Sequence, residues 1–349
     1  MARAPRLRPH APGPDVPPAA AVPGNNVVPD EDPAAAPFTI HPLTHPPHPP
    51  YTFHKAESLF HKVEVERGEE APSSSRPHRK EPTMTYTVNC SILLTELPLL
   101  ERPAAAKAAG FDAVEFWWPF AESVPVDAEV TRFERAITDA GVQLTGLNFN
   151  AGDMPGGDRG LVSWKGRCSE FKDNIDVVAG IGGRLGCTSF NALYGNRQDG
   201  HTPEAQDELA VRNLAAAAAG VAGIGGTVLL EPVSGAPRYP LLTADDALRV
   251  ISRVKEETGA GNIKLLADFY HLSVNGDDVA AVIEKHAKDF GHIQIADNPG
   301  RGAPGTGELP LGEWIARSRQ LGYEGYIGLE YKAPAETAFA WAIRQRIAR

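Results

Sequence analysis

The segment from Thr227 to Glu231 reads T-V-L-L-E, an apolar run that ends in a carboxylate. Three later runs follow the same plan: I-K-L-L-A-D ends at Asp268, H-I-Q-I-A-D carries Gln294 near its end, and Y-I-G-L-E ends at Glu330. One strand-terminal acid is ordinary, since such a residue often caps the next helix or pairs with a lysine. Four metal-binding side chains at successive strand ends are not, because charged groups seldom gather in a buried place without a function. Three carboxylates brought together without a cation would repel one another and take up protons. A divalent ion relieves that repulsion. Oxygen ligands suit a hard ion such as Mg²⁺ or Mn²⁺, whereas zinc prefers nitrogen or sulfur. A substrate that chelates the ion through a carbonyl and its neighbouring hydroxyl gains an acidic C–H bond and a stabilised enediolate. One glutamate can then take the proton and another return it to the adjacent carbon. The chemistry is an aldose–ketose type isomerisation or an epimerisation.

Those side chains need a scaffold that brings strand ends together. Strand patterns fall at 86–91, 112–117, 142–148, 187–192, 227–231, 263–268, 290–296 and 326–330, with helix patterns and short Gly/Pro/Asp punctuation between them. Phe171, Ile175 and Val178 recur at helical spacing, as do Phe339, Ile343 and Ile347. Thr202-Pro203 has the form of an N-cap followed by proline at the first helical position. Thr243 with Asp246 resembles a capping box, and the alanines at 215–219 favour helix. Strict alternation of eight strands with helices predicts a (β/α)8 TIM barrel over 84–349, a length close to the roughly 250 residues usual for that fold. A doubly wound open sheet is the alternative, but no G-x-G-x-x-G follows the first strand. In the barrel, active sites lie at the C-terminal mouth, where strands five to eight would deliver Glu231, Asp268, Gln294 and Glu330.

Residues 1–83 differ in kind. They hold 18 of the 31 prolines and 7 of the 11 histidines. Proline lacks an amide proton and resists helix and sheet interiors, so this stretch reads as a disordered Pro/His-rich extension. Met84, just ahead of T-Y-T-V-N-C-S-I, is a candidate natural start. The formal charge of the chain is −10, which argues against nucleic acid and anionic lipid as partners. No apolar run has the length of a membrane span, and the basic N-terminus lacks the apolar stretch of a secretory signal. Cys90, Cys168 and Cys187 form neither a CxxC pair nor a zinc spacing and read as reduced thiols of a cytoplasmic protein.

The ordered motifs G-F-D-A-V-E-F-W-W-P (110–119), L-N-F-N-A-G-D (147–153), G-D-R-G (157–160), L-L-E-P (229–232), D-F-Y-H (268–271), G-H-I-Q-I-A-D-N-P-G-R (291–301), P-G-T-G-E (304–308) and G-L-E-Y-K (328–332) span nearly all of 84–349. As a set they resemble the hydroxypyruvate isomerase family of the xylose-isomerase-like barrels. The resemblance implies that Glu231, Asp268, Gln294 and Glu330 bind the metal, and that Glu231 and Glu330 double as the acid/base pair. Related sugar epimerases carry a histidine where Gln294 stands, and a glutamine carbonyl still supplies an oxygen ligand. His271 matches the family histidine that contacts substrate oxygens. Arg301, and Lys332 with it, are expected to meet a substrate carboxylate, for which a guanidinium fork is well suited. Asn148 keeps its place in the motif as a substrate contact. Glu115, ending the second strand, either hydrogen-bonds substrate or orients a neighbour, and Asn191 ending the fourth is similar. Trp117 and Trp118 are candidates to wall the pocket. P-G-T-G-E serves either as an anion cradle or as a plain turn. Family members read H-N-L-P-A-G where this chain reads L-N-F-N-A-G, so Leu147 replaces a histidine and leaves the exact substrate open.

The reading that follows is a metal-dependent isomerase acting on a small hydroxy-keto acid, interconverting hydroxypyruvate and 2-hydroxy-3-oxopropanoate (tartronate semialdehyde). A homo-oligomer is compatible with it. The rivals are a 2-oxo-tetronate isomerase or ketose epimerase on the same barrel, and a barrel that binds a small acid without turning it over. A nuclease would need several metal-binding histidines and a basic groove. The barrel region has His201, His271, His286 and His292 and a charge of about −9, from 25 Lys+Arg against 34 Asp+Glu.

Overall fold

The protein is described from a computed structural model, over residues 85–344. The expectations for residues 1–83 and for Ile347 lie outside the described residues. Eight strands, β1 (Tyr86–Asn89), β2 (Ala113–Phe116), β3 (Gln143–Asn148), β4 (Ser189–Asn191), β5 (Thr227–Leu230), β6 (Ile263–Asp268), β7 (Phe290–Ile295) and β8 (Ile327–Leu329), pair in parallel in chain order. The sheet closes where β1 pairs with β8. Between the strands run α1 (Arg102–Ala108), α2 (Asp127–Ala140), α3 (Cys168–Leu185), α4 (Pro203–Ala222) and α5 (Ala244–Thr258). Then come α6 (Phe269–Val274), α7 (Val279–His286), α8 (Leu311–Gln320) and, after β8, α9 (Ala340–Arg344). This is the expected TIM barrel. Its one departure from strict alternation is the β6–β7 crossover, which holds two helices.

Local chemistry explains the elements. The strands are short apolar runs buried almost throughout, as a parallel sheet covered by helices requires. Thr202 caps α4 by accepting from the Ala205 amide, with Pro203 at the first position. Thr243 and Asp246 form the reciprocal capping box of α5. Gly141, Gly186 and Gly259 end α2, α3 and α5 in the left-handed conformation that glycine adopts without strain. Phe171, Ile175 and Val178 form the buried stripe of α3. The outer core has edge-on aromatic pairs, Phe116–Phe133 between β2 and α2 and Phe269–Trp314 between α6 and α8.

The inside of the barrel is polar. Thr87 and Thr145 share a hydroxyl hydrogen bond of 2.7 Å, and Glu115 and His292 approach to 2.7 Å. Gly328 makes room for this group: a Cβ there would lie 2.7 Å from Gln294 Cγ and 2.8 Å from Glu115 Oε1. Register then brings the upper layer together, with Asp268 beside Gln294 across β6–β7, and Gln294 beside Gly328 across β7–β8.

Candidate active site

Glu231 follows β5 directly, Asp268 ends β6, Gln294 is the penultimate residue of β7, and Glu330 follows β8. All four are buried. One ligating atom from each of Glu231, Asp268, His271 and Glu330 falls within 4.8 Å of the others. Three of the four expected residues therefore share one place with His271, and Gln294 adjoins them, its Nε2 3.4 Å from Glu330 Oε1.

Each carboxylate is held differently. Asp268 divides its labour: Oδ1 caps α6 by accepting from the Tyr270 and His271 amides at 2.8 and 3.2 Å, while Oδ2 faces the cluster without a hydrogen bond. Helix capping and ligand placement are thus two ends of one side chain. Glu231 Oε2 accepts from Asn191 Nδ2 at 2.7 Å, and Oε1 faces His271 Nε2 at 3.9 Å. Glu330 is the most tightly held. Its Oε1 accepts from Trp117 Nε1 at 2.7 Å and Asn89 Nδ2 at 3.0 Å, and its Oε2 pairs with Arg301. Burial pushes the Glu231 carboxyl well above the usual range, and Glu330 and Asp268 add to the rise while the Asn191 bond works against it. Burial also raises Glu330, to about 7, against the opposing pull of Arg301. Asp268 is raised by burial and held back by Arg301.

His271 sits on α6, one turn above Asp268. Its Nδ1 accepts from the Ser234 amide at 3.1 Å and lies 2.7 Å from the Ser234 hydroxyl. An amide can only donate, so the ring proton belongs on Nε2, which points at the carboxylates, 3.6 Å from Asp268 Oδ2. Burial, with help from Arg301, lowers the imidazole to about 3. At neutral pH His271 is therefore an uncharged donor rather than a free nitrogen ligand.

The cluster fits a divalent cation on its own chemistry. Three carboxylates face one guanidinium, which leaves two negative charges without compensation in a buried site. Asp268 Oδ2 and Gln294 Oε1 are buried acceptors with no hydrogen-bond partner. Such orphan acceptors are rare in the absence of a purpose. Gln294 Nε2 donates to Glu115 Oε1 at 2.7 Å and, more weakly, to Glu330 Oε1 at 3.4 Å, which places the amide between the buried Glu115 and the cluster.

A cleft of about 830 Å³ opens over this layer, and Glu231, His271, Arg301 and Glu330 lie on its floor together with Asn148. Trp117 and Trp118 line it, as the sequence suggested. Other expectations land elsewhere. Glu115 turns into the barrel beneath the cleft, where Asn89, Gln294 and His292 surround its carboxylate, so of its two readings the orienting one matches the geometry. Lys332 is exposed, off the cleft lining, and its backbone amide donates to Arg301 O at 2.7 Å. Arg301 aims Nη2 at Glu330 and lies 3.7 Å from Asp268 Oδ2. Leu147, in the place of the family histidine, is buried in the core while its neighbour Asn148 faces the cleft. The P-G-T-G-E loop does cradle an anion, but the anion is the chain's own Asp297: its carboxylate accepts from the amides of Asn298, Gly305 and Leu309 at 2.8–3.0 Å.

Sequence reasoning missed Asn89 and Ser234 and undervalued Trp117. Each acts by orienting a residue far away in sequence, and no local spacing signals that.

The match to known proteins agrees with this geometry. Residues 103–346 match the Xylose isomerase-like TIM barrel family. The chain belongs to that family. Its curated relatives set it among the hydroxypyruvate isomerases of the group. It is 55% identical over 263 residues to a putative hydroxypyruvate isomerase of Streptomyces coelicolor, covering 73% of this chain and 94% of that one. It is 30% identical to hydroxypyruvate isomerase of Escherichia coli, covering 73% and 95%, and 36% identical to 2-oxo-tetronate isomerase of Cupriavidus necator, covering 72% and 94%. Among solved structures, a family 2 AP endonuclease from Brucella melitensis superposes with a TM-score of 0.67 at 30% identity, covering 75% of this chain and 98% of that one. Among the described residues, no helix is long and apolar enough to cross a membrane.

Proposed function

We propose that the protein is a metal-dependent isomerase interconverting hydroxypyruvate and 2-hydroxy-3-oxopropanoate through an enediolate, with Glu231 and Glu330 as the proton-transferring pair. The observation that carries this reading is two buried glutamates from non-adjacent strands, facing one cleft and clustered with Asp268. The curated relatives named for this reaction support it. A Mg²⁺ or Mn²⁺ ion held by Glu231, Asp268, Gln294 and Glu330 would polarise the carbonyl and adjacent hydroxyl of the substrate.

The chain's own groups carry the proton. From hydroxypyruvate, one glutamate removes a hydrogen of C3 as a proton and the other delivers a proton to C2, while the hydroxyl proton on O3 is lost and one is gained on O2. Glu231 Oε1, which accepts no hydrogen bond among the described residues and has His271 Nε2 at 3.9 Å, is a suitable acceptor atom. Burial raises its proton affinity, which strengthens it as a base. Glu330, fixed by Trp117, Asn89 and Arg301, meets the opposite end of the bond. His271 Nε2–H donates to a substrate oxygen as charge develops there. Arg301 keeps Glu330 able to ionise in a buried place.

The cleft volume, larger than a three-carbon acid requires, favours a second reading, a four-carbon 2-oxo acid, in line with the 2-oxo-tetronate isomerase relative. A DNA-cleaving reading suits the site poorly: among the described residues His271 is the one histidine in the cluster, and the chain carries a charge of −10.

The test is the purified full chain, stripped of metal and then given Mg²⁺ or Mn²⁺, followed by NMR in D₂O with hydroxypyruvate. Metal-dependent formation of deuterated tartronate semialdehyde is expected, and Glu231→Gln or Glu330→Gln should slow it at least about 100-fold. Near-normal turnover by Glu330→Gln would refute the mechanism. Turnover of 2-oxo-tetronate but not of hydroxypyruvate would replace the substrate and keep the chemistry.

A further inference from the structure

Arg301 and Lys332 were the cations expected to meet a substrate carboxylate, and the structure engages both otherwise. Arg301 faces Glu330 and Asp268, and Lys332 is exposed off the cleft. Four arginines line the cleft: Arg102, Arg159, Arg167 and Arg301. Arg102 donates all three guanidinium nitrogens to the carbonyls of Leu97, Cys90 and Thr95. Arg167 is paired with Asp158 and Glu170. Arg159 is different. It is half-buried, its Nη1 donates to the carbonyls of Met154 and Asp158 at 2.9 and 2.6 Å, and its Nε and Nη2 have no partner among the described residues. That pair of nitrogens is the edge a carboxylate engages side-on with two parallel hydrogen bonds. Among the described residues no carboxylate pairs with it.

The surrounding G-D-R-G motif accounts for this vacancy. Asp158, the neighbour best placed to neutralise Arg159, is taken up by Arg167 at 3.0 Å and by the Asp153 amide at 2.8 Å. Gly160 adopts φ +112, and a Cβ there would lie 1.9 Å from Leu193 O. The loop can therefore press against the segment after β4, where the Gly195 amide donates to Arg159 O at 3.0 Å and Gly160 donates to Ala151 O at 2.9 Å. The backbone of Arg159 is pinned on both sides, so its side chain leaves from a fixed base. The Arg159 charge also reaches the reaction centre, where it helps to keep His271 unprotonated.

Resting on the isomerase reading above, we propose that Arg159 binds the substrate's carboxylate and sets the preference for 2-oxo acids over neutral ketoses. The unpaired Nε/Nη2 edge takes the carboxylate, while the cluster at the mouth takes the carbonyl and hydroxyl of the same molecule.

The experiment compares wild type, Arg159→Gln and Arg159→Lys in the metal-loaded full chain with two substrates. Hydroxypyruvate carries the carboxylate. Dihydroxyacetone replaces it with a hydroxymethyl group, and its C–H exchange in D₂O reports the same proton transfer. The preference for the acid, as a ratio of kcat/KM values, should fall roughly 10- to 100-fold in Arg159→Gln, as loss of a hydrogen-bonded charge implies. The change should lie in KM more than in kcat, with partial recovery in Arg159→Lys. An acid KM within threefold of wild type overturns the proposal. An equal loss on both substrates also overturns it, because it would mean that Arg159 only braces the loop. Calorimetry with tartronate, an unreactive hydroxy acid, separates this idea from the isomerase reading. If wild type does not turn over hydroxypyruvate, weaker tartronate binding by Arg159→Gln still upholds Arg159 as the carboxylate partner, and unchanged binding overturns it.

Discussion

Asn191→Leu isolates the forces that set the proton affinity of Glu231. Asn191 Nδ2 donates to Glu231 Oε2 at 2.7 Å, inside the barrel mouth and away from solvent. A hydrogen bond to a buried charged group contributes about 1.5–3 kcal/mol. It stabilises only the ionised carboxylate, so its removal should raise the Glu231 pKa by about 1–2 units. The other amide atom, Asn191 Oδ1, already lacks a partner. An apolar residue of similar size discards that unsatisfied acceptor but leaves Glu231 Oε2 without its donor, so the cost in stability should be about 1–3 kcal/mol. The assay is kcat/KM against pH at saturating Mg²⁺ or Mn²⁺. The acidic limb should move to higher pH by about 1–2 units, while the plateau reached in base approaches that of wild type. A rate that falls equally at every pH, with the limb unmoved, would show that Asn191 does not tune Glu231 and that the site titrates through another group.

In the metal-free protein, the raised carboxyls give stability an unusual pH dependence. Glu330 is lifted from 4.5 to about 7, so the folded state holds an extra proton between those values and stability falls as pH rises through that window, by at most about 3 kcal/mol for this group. Surface carboxylates lowered by their arginine or lysine partners, such as Glu284 and Asp245, act below the window. The lowered His271 imidazole opposes this below about pH 6.5, so the melting temperature should drop from pH 6.5 to 7.5, and Mg²⁺ or Mn²⁺ should restore more of it at the higher pH. A flat or rising melting curve without metal would contradict the assignment. Gly160→Ala should lower the melting temperature by at least about 5 °C, since it combines backbone strain of about 1–3 kcal/mol with a clash. A neutral result would show that the loop can part from Leu193.

The strand ends were legible because each combines two independent signals, a buried apolar run and a ligand-type residue at its close. That is why Glu231, Asp268, Gln294 and Glu330 were found together, and why β1 to β8 fall within two residues of the sequence pattern. The second helix of the β6–β7 crossover was harder to see, because α6 is a six-residue helix started by the same Asp268 that ends the strand. Lys332 misled for a geometric reason: three residues past the end of β8 its side chain is exposed, off the cleft lining. The roles of Asn89 and Trp117 could not be read at all. Both reach Glu330 across more than 200 residues of sequence, and only closure of the barrel makes them neighbours.

The carboxylate of Asp297 has a consequence for how this enzyme meets its substrate. The loop it organises also carries Arg301, a non-glycine residue held at φ 55. Such a backbone is ordinarily unfavourable for a side-chain-bearing residue. Here the chain supplies its own anion to the loop during folding, and the ordering of that segment is complete before any ligand arrives. The entropy of arranging this wall is therefore settled once per lifetime of the molecule rather than once per turnover.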